Sequence, residues 1–490
     1  MEKVKINNIK DFLKDKNILI YGLGKSGLSS LKKIYSYCNK IFAIDDNPNF
    51  VLPDIYKELA DYDNIKFFIG NKNYLYSKLL KETSVIILSP GISMAAPLIK
   101  SAIRRKILIL SELELAWDFL NENDKKNTIA VTGTNGKTTV TTLISKILSD
   151  FGLDCVACGN IGNPLIETIK TQEFNLEENK KDNFNKEDLI RVIEVSSFQL
   201  ENIVNFNPHI AIILNITNDH VDRHKSMIKY SKIKFKIFEN QTENDFLVIN
   251  FDDKYINKFF KRLDFINNVK PNLIKFGLNY KDNKEIYYKD NQIFYNINGS
   301  IGKISIKDRN LIGNHNILNI AASITAAKLF NVSDKSLEKT IQNFKPLEHR
   351  LEYIGIINDI KCFNDSKSTN PDATIKALDS FKKEVTLILG GLDKGMNFKS
   401  LIPVLNKKVN NLILIGSCKE KLFELFSQSP HDYNIFQVTS FEDAVKKGFE
   451  VTKKNHSFVL SPACASMDMF KDYKDRGNQF KKLVLSYKNK

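Results

Sequence analysis

The densest chemistry in the sequence is the run Thr132-Gly133-Thr134-Asn135-Gly136-Lys137-Thr138-Thr139. Glycines let backbone N–H groups approach an anion, a lysine neutralises it, and a threonine hydroxyl can hold Mg²⁺, so residue types in this order suit a phosphate cradle. The spacing departs from the commonest phosphate loop, because Val131 stands where the longer pattern has its first glycine. A second run, Gly22-Leu23-Gly24-Lys25-Ser26-Gly27, is followed by Asp45 at the interval of a dinucleotide fingerprint. It points to a second phosphate-bearing ligand, such as a nucleotide sugar. A nicotinamide cofactor is the rival for this loop, but it gives the other phosphate loop no role.

Carboxylates and imidazoles come next. Glu194 interrupts the apolar run Leu189–Val195 and leads into Ser196-Ser197-Phe198-Gln199. A charge at the end of a buried strand beside a phosphate loop binds metal or activates water, unless it merely pairs with a lysine. The segment Asn215–His224 follows the apolar run Ile210–Leu214 and contains His220, which could bind metal as a neutral imidazole. His224 invites a two-histidine site, although no Glu lies between them as in zincins. Lys234 falls in the helical run Tyr230–Phe238, where a solvated lysine is the default reading. Three later runs, Asn364–Asn370, Gly390–Gly395 and Ser461–Gly477, are rich in hydroxyls, small residues and cations that suit a carboxylate-bearing small molecule.

These groups need strands to present them. Apolar runs at Asn17–Tyr21, Lys40–Ile44 and Ser84–Leu88 alternate with helical patterns, as do Ile129–Thr132, Leu189–Val195 and Ile210–Leu214, then Val385–Leu389, Leu412–Ile415 and Ser457–Leu460. Strand–helix alternation of this kind predicts parallel α/β sheets. The 490 residues therefore divide into three α/β domains, residues 1–124, 125–346 and 347–490. The polar stretch Asn121–Lys126 reads as a linker, residues 172–188 as a solvated insertion, and residues 275–306 as added hairpins. The helix after the main glycine loop should bury Val140, Leu143, Ile144, Ile147 and Leu148. Ligands would occupy the clefts between domains.

Composition narrows the class. A net charge of +15 spread through every region, with no basic face interleaved by aromatics, argues against a nucleic-acid surface. Six scattered cysteines do not form a disulfide framework, and the single pair Cys155/Cys158 lacks the second pair a zinc site needs. The charged N-terminus holds no signal-peptide core, and no later stretch reaches the roughly 20 apolar residues of a membrane span. A cytoplasmic enzyme is expected.

The runs GTNGKTT, IEVSSFQLE, LNITNDHVDRH, NDSKSTNPDAT, GGLDKG and SPACASMDMFKDYKDRGNQF stand in the order found in Mur ligases, and the resemblance covers essentially the whole chain. It implies a Rossmann-like N-terminal domain that binds a UDP substrate, a central P-loop ATPase-type domain with a mostly parallel sheet, and a Rossmann-like C-terminal domain that closes on ATP. Gly133, Thr134, Asn135, Gly136, Lys137, Thr138 and Thr139, with Asn316, Asn319, Arg350, Asp365 and Lys367, match the ATP-contacting positions. Thr138, Glu194 and His220 match the positions that hold two Mg²⁺, and Lys234 aligns with a lysine that the family carbamylates. Lys25, Ser26, Asp45, Ser89, Gly91, Asn160 and His220 match the UDP-substrate site, while Asp46 and Asn47 replace the Thr and Arg familiar at the uracil contact. Thr369, Lys394, Ser466 and Tyr473 match an amino-acid pocket, with tyrosine for the familiar phenylalanine.

The tail and IEVSSFQLE resemble the branch that adds D-glutamate. That implies ATP-driven joining of D-glutamate to UDP-N-acetylmuramoyl-L-alanine, with Lys137, Glu194, His220 and Lys234 at the reacting phosphate and the chain acting as a monomer. A folylpolyglutamate-type enzyme would lack the SPACASMD tail, and a diaminopimelate-adding relative should carry DNPR in its C-terminal segment, where none occurs.

Overall fold

A computed structural model describes the chain except residues 1–7, 71–72, 170–187, 218, 220, 225, 262–268, 281–283, 346, 382–383 and 490. Its strands form three sheets of five, nine and six strands. The first holds β1 (Asn17–Tyr21), β2 (Lys40–Asp45), β3 (Ile65–Ile69), β4 (Val85–Leu88) and β5 (Leu108–Ser111) in the order β3-β2-β1-β4-β5. Every pairing is parallel. Runs of Ile, Val and Leu without alternation suit such strands, which are covered on both faces.

The second sheet runs from β6 (Thr128–Thr132) through β7 (Cys155–Gly159), β8 (Ile190–Glu194), β9 (Ile210–Ile213), β10 (Phe246–Asn250), β11 (Asn272–Gly277), β12 (Ile286–Lys289) and β13 (Gln292–Ile297) to β14 (Ser300–Ser305). Its order is β14-β13-β12-β11-β10-β9-β6-β8-β7. The expected hairpins are β12, β13 and β14, an antiparallel edge on a parallel sheet, while β11 pairs parallel with β10. Cys155 and Cys158 sit three residues apart on β7, so the pleat sends them to opposite faces. The third sheet orders β15 (Glu352–Ile357), β16 (Ile360–Asn364), β17 (Val385–Gly390), β18 (Val409–Ile415), β19 (Asn434–Gln437) and β20 (Ser457–Leu460) as β15-β16-β20-β17-β18-β19, parallel apart from the β15–β16 edge.

The linker expected at Asn121–Lys126 is instead a short helix, Glu122–Lys126, because the Asn121 side chain accepts the Asp124 amide and caps it. The insertion expected at 172–188 lies outside the described residues but for Asp188. The apolar cores divide unevenly. Side chains from one face of the first sheet and one face of the second, Ile20 and Ile213 among them, share one continuous cluster, with Trp117 and Phe206 edge to face at 4.9 Å. The third sheet keeps its two cores to itself. No helix among the described residues is long and apolar enough to cross a membrane.

Candidate active site

β9, β6 and β8 are parallel neighbours, so their C-terminal ends carry three of the predicted runs to one edge: the GTNGKTT loop, the Asn215–Asp219 segment and Glu194. Open α/β sheets place ligands at this edge. In the loop, Gly136 has φ +89° and a Cβ there would meet Asn319 Oδ1 at 2.5 Å, so both conformation and packing demand glycine. The helix Lys137–Phe151 begins immediately after it and buries Val140, Leu143, Ile144, Ile147 and Leu148 completely, as their spacing predicts. Asn215 fixes the loop's shape: its carbonyl accepts from Thr134 N (2.9 Å), its Oδ1 from Asn135 N (2.9 Å), and its Nδ2 donates to Asn135 O (2.9 Å).

Two lysines converge on the carbonyl of Gly133. Lys137 Nζ donates to it at 2.8 Å and to Thr134 O at 2.9 Å, and Lys234 Nζ donates to it at 2.9 Å. Lys234 is 1% exposed, which overturns its reading as a solvated residue. The helix Met227–Phe235 turns it inward behind the phosphate loop. Burial pulls both ammonium groups below their ordinary range. Lys234 falls well below, because the Lys137 charge adds to its desolvation while Asp219 and Glu194 oppose only in part.

Glu194 is 3% exposed. Its Oε1 accepts from Asn160 Nδ2 at 2.8 Å, while its buried Oε2 has no hydrogen-bond partner among the described residues. A carboxylate oxygen taken out of water and left unpaired is costly. A hard cation would satisfy it. No group of three or more His, Cys, Asp or Glu residues is arranged for a metal ion among the described residues, and His220 lies outside them.

The third sheet closes the other side of a cleft of about 540 Å³. Asn316, Asn319, Arg350, Asp365, Lys367 and Thr369 line it opposite or beside Lys137, Thr138, Thr139, Asn160 and Glu194. Arg350 Nη2 donates to Thr138 Oγ1 at 2.8 Å. Asp365 accepts from Ser461 Oγ (2.7 Å) and Leu351 N (3.0 Å), and burial pushes its carboxyl up to about 6. Lys367 Nζ lies 3.7 Å from the centroid of the Tyr473 ring, and burial, then Arg350, pull it down to about 7. That contact needs only an aromatic face, so tyrosine serves as phenylalanine would. Asp372 Oδ2 accepts from Asn135 Nδ2 (2.6 Å) and Thr217 Oγ1 (2.9 Å), pinning the third unit to the phosphate loop.

The remaining predicted residues fall in two places. Lys394 and Ser466 lie on loops after the neighbouring strands β17 and β20, joined by mutual backbone hydrogen bonds between Leu392 and Ala465. Lys25, Ser26, Asp45, Ser89 and Gly91 lie at or just beyond the C-terminal ends of β1, β2 and β4. Asp45 accepts from Leu23 N at 2.8 Å and thereby holds the first glycine loop, Ser89 Oγ donates to Gly22 O at 2.7 Å, and Lys25 Nζ reaches Gly162 O (2.9 Å) and Asn163 Oδ1 (2.6 Å) in the middle unit. Asp46 accepts from the hydroxyls of Tyr21 and Tyr76. Among the described residues of the UDP-substrate set, Asn160 alone also lines the cleft.

Sequence reasoning passed over Asp219, Asp372 and His315, all of which line the cleft. Asp219 had a signal, since it stands in a polar run at the end of a buried strand. His224 does not belong to a metal pair here: its Nε2 meets Ser197 Oγ at 3.0 Å and its Nδ1 meets Glu201 Oε1 at 3.3 Å. This hydroxyl–imidazole–carboxylate row resembles a hydrolytic triad, but Ser197 is 4% and His224 3% exposed, so no substrate reaches it.

Comparison with known proteins covers the same three units. The profile of the Mur ligase MurD-like N-terminal domain matches residues 16–111, that of the Mur ligase middle domain residues 131–327, and that of the Mur ligase glutamate ligase domain residues 349–464. The UDP-N-acetylmuramoylalanine–D-glutamate ligase of Thermoanaerobacter sp. (strain X514) is 38% identical over 475 residues, 96% of this chain and 98% of its own. The enzyme of that name in Clostridioides difficile (strain 630) is 35% identical over 97% of this chain and 100% of its own. Among solved structures, UDP-N-acetylmuramate-alanine ligase MurC from Thermotoga maritima superposes with a TM-score of 0.56 at 17% identity, covering 96% of this chain and 99% of its own. MurF ligase from the same organism, in complex with ADP, gives 0.54 at 17% identity over 98% and 97%.

Proposed function

The chain belongs to the Mur ligase family, and from that premise we propose that it is an ATP-dependent ligase joining D-glutamate to UDP-N-acetylmuramoyl-L-alanine in peptidoglycan precursor synthesis. The observation that carries the reading to this chain's own atoms is the cleft where the GTNGKTT loop, Glu194, Arg350 and Lys367 meet. The three sheets support assigning the UDP substrate to residues 1–124, ATP to 125–346, and D-glutamate with closure to 347–490.

A free carboxylate is a poor electrophile and hydroxide a poor leaving group, so amide formation needs activation. The L-alanyl carboxylate attacks the γ-phosphorus of ATP, giving an acyl phosphate and ADP. The D-glutamate amine then adds to the acyl carbon, and the tetrahedral intermediate collapses with loss of phosphate. The protein supplies charge and position and no nucleophile. The loop amides and Lys137 receive the phosphates, Arg350 and Lys367 bring cationic charge from the third unit, and Thr369, Lys394, Ser466 and Tyr473 hold D-glutamate. Lys25, Ser26, Asp45, Ser89, Gly91 and Asn160 hold the UDP-muramoyl substrate, and Asn316 and Asn319 the adenine.

Magnesium would neutralise the charge that builds up on the transferring phosphate. Glu194 Oε2, without a hydrogen-bond partner among the described residues, fits such an ion, with Thr138, His220 and a carbamylated Lys234 completing the proposed holders of two ions. Carbamylation adds CO₂ to a neutral amine, R–NH₂ + CO₂ → R–NH–COO⁻ + H⁺. Lys234, desolvated and beside a second ammonium, has the environment that keeps an amine neutral. A monomer working in the cytoplasm, where nucleotide-linked substrates are made, is part of the same reading.

Phosphate release from ATP and Mg²⁺ with UDP-N-acetylmuramoyl-L-alanine tests the reading, with D-glutamate, L-glutamate, meso-diaminopimelate or L-lysine supplied in turn. Release with D-glutamate alone, reduced on Lys137→Ala by about 10²- to 10³-fold, is the expected result. Release with another amino acid moves the chain to a sibling branch, and none at all removes the assignment.

A further inference from the structure

Arg223 stands at the junction of the first and middle units. Its guanidinium donates from Nη1 to Pro90 O (3.2 Å) and from Nη2 to Ile92 O (2.7 Å), so it grips both sides of Gly91 in the loop after β4. The same Nη2 donates to Glu201 Oε2 at 3.0 Å, and the guanidinium carbon lies 4.0 Å from the centroid of the Phe198 ring. Arg223 and Glu201 side chains are each only 12% exposed. A planar fork that meets two carbonyls, a carboxylate and a ring face at once is a task for arginine and not lysine.

The contacts continue inward without a break. Glu201 Oε1 pairs with His224 Nδ1 at 3.3 Å, and the His224 ring packs on Tyr230 at 5.2 Å between centroids. The Tyr230 hydroxyl meets Thr134 Oγ1 at 3.1 Å in the phosphate loop. Packed side chains and hydrogen bonds thus run from the Ser89–Ile92 loop of the first unit to the loop proposed to cradle ATP. Arg223 and His224 also follow Asp219 closely in one segment, so the strand end that lines the ATP cleft also grips the neighbouring unit.

We propose that Arg223 is a positioning residue that sets the Ser89–Ile92 loop, and with it the bound UDP-muramoyl substrate, in register with the phosphate loop. The inference rests on the reading of Ser89 and Gly91 as substrate contacts. Its chemistry is simple: Arg223 touches no reacting atom, but it fixes the distance between the alanyl carboxylate and the γ-phosphate. Small displacements of reacting groups cost large factors in rate. Without it the loop's two carbonyls turn to water and the loop samples other positions.

Arg223→Ala and Arg223→Lys test this alongside the wild type, with KM for each of the three substrates, kcat, direct binding of UDP-N-acetylmuramoyl-L-alanine without ATP, and thermal melting. The expected result for Arg223→Ala is a tenfold or larger rise in KM and Kd for the UDP substrate with a comparable fall in kcat. KM for ATP and D-glutamate stays within about twofold of wild type, and Arg223→Lys recovers only part of the loss. Should Arg223→Ala fail to fold, the same split in Arg223→Lys decides the matter. An unchanged KM for the UDP substrate, or equal losses in all parameters that track a lowered Tm, overturns the proposal. If the wild type itself does not bind the UDP substrate, it is the functional reading that falls.

Discussion

Two ammonium groups sharing one carbonyl, as Lys137 and Lys234 share Gly133 O, is an arrangement that cannot carry two full charges cheaply. At an effective dielectric of about 20, unit charges about 4 Å apart repel by roughly 4 kcal/mol. Lys137 lines the cleft proposed to take the phosphates, and Lys234 is the one drawn well below its ordinary range, by burial first and then by the Lys137 charge. The carbamate proposed for Lys234 predicts a dependence on dissolved CO₂. Enzyme stripped of CO₂ at mildly acidic pH should lose activity by about 10²- to 10³-fold, the range for removing one electrostatic contact, and should regain it on adding bicarbonate at pH 8. Lys234→Arg, which cannot form the carbamate, should show low activity that bicarbonate does not change. Phosphate-release rates before and after degassing measure both, and a wild type indifferent to bicarbonate would remove Lys234 from the metal set.

At the level of elements, the helix Glu112–Phe119 carries three acids into the seam between the first and second units. Glu112 accepts from Gln199 Nε2 at 2.8 Å, Glu114 from the amides of Asn205 and Phe206, and Asp118 from Asn205 Nδ2 at 3.1 Å. Burial lifts Glu112 and Glu114 to about 7 and Asp118 to about 6, with Asp118 adding to Glu114, and Lys125 opposing at Asp118. A carboxyl that holds its proton more tightly folded than unfolded stabilises the fold fully below its unfolded value of about 4.5, and that contribution is lost as pH rises through the folded value. Thermal melts should therefore show Tm falling between about pH 5 and pH 7.5. Glu112→Gln, which keeps a neutral partner for Gln199, should flatten that slope. A slope unchanged in the variant would show that Glu112 is ionised throughout. The sequence made the strands legible because buried parallel strands are apolar without interruption, and it made the phosphate-loop helix legible because the spacing from Val140 to Leu148 is unambiguous. Other features were hidden for physical reasons. Lys234 sits among Lys229, Lys232 and Lys236 with nothing local to say which one turns inward. Asp372, in the first turn after Pro371, reads as an ordinary acid at a helix start, and its partner Asn135 is 237 residues away. Arg223 has the same difficulty, since its carbonyl partners lie in another sheet's loops.

On the scale of the whole molecule, the first two units share an apolar core while the third meets them through polar contacts across the cleft. Interfaces of the second kind are the ones that open and close. The contact of Asp372 with Asn135 and Thr217 joins the third unit to the phosphate loop within the lining of the cleft proposed to take ATP. If that contact must break for nucleotide to enter, the cleft acts as a gate in series with diffusion. Nucleotide association measured by stopped-flow should rise with ATP concentration and then level off at the opening rate, below the diffusional limit. Asp372→Ala should raise that plateau several-fold and speed release of ADP by a similar factor, and a linear, unsaturating rate in the wild type would mean the gate does not limit entry. On that outcome the same carboxylate that helps assemble the site would also set a clock on it: each turnover would include the waiting time for one aspartate to let go.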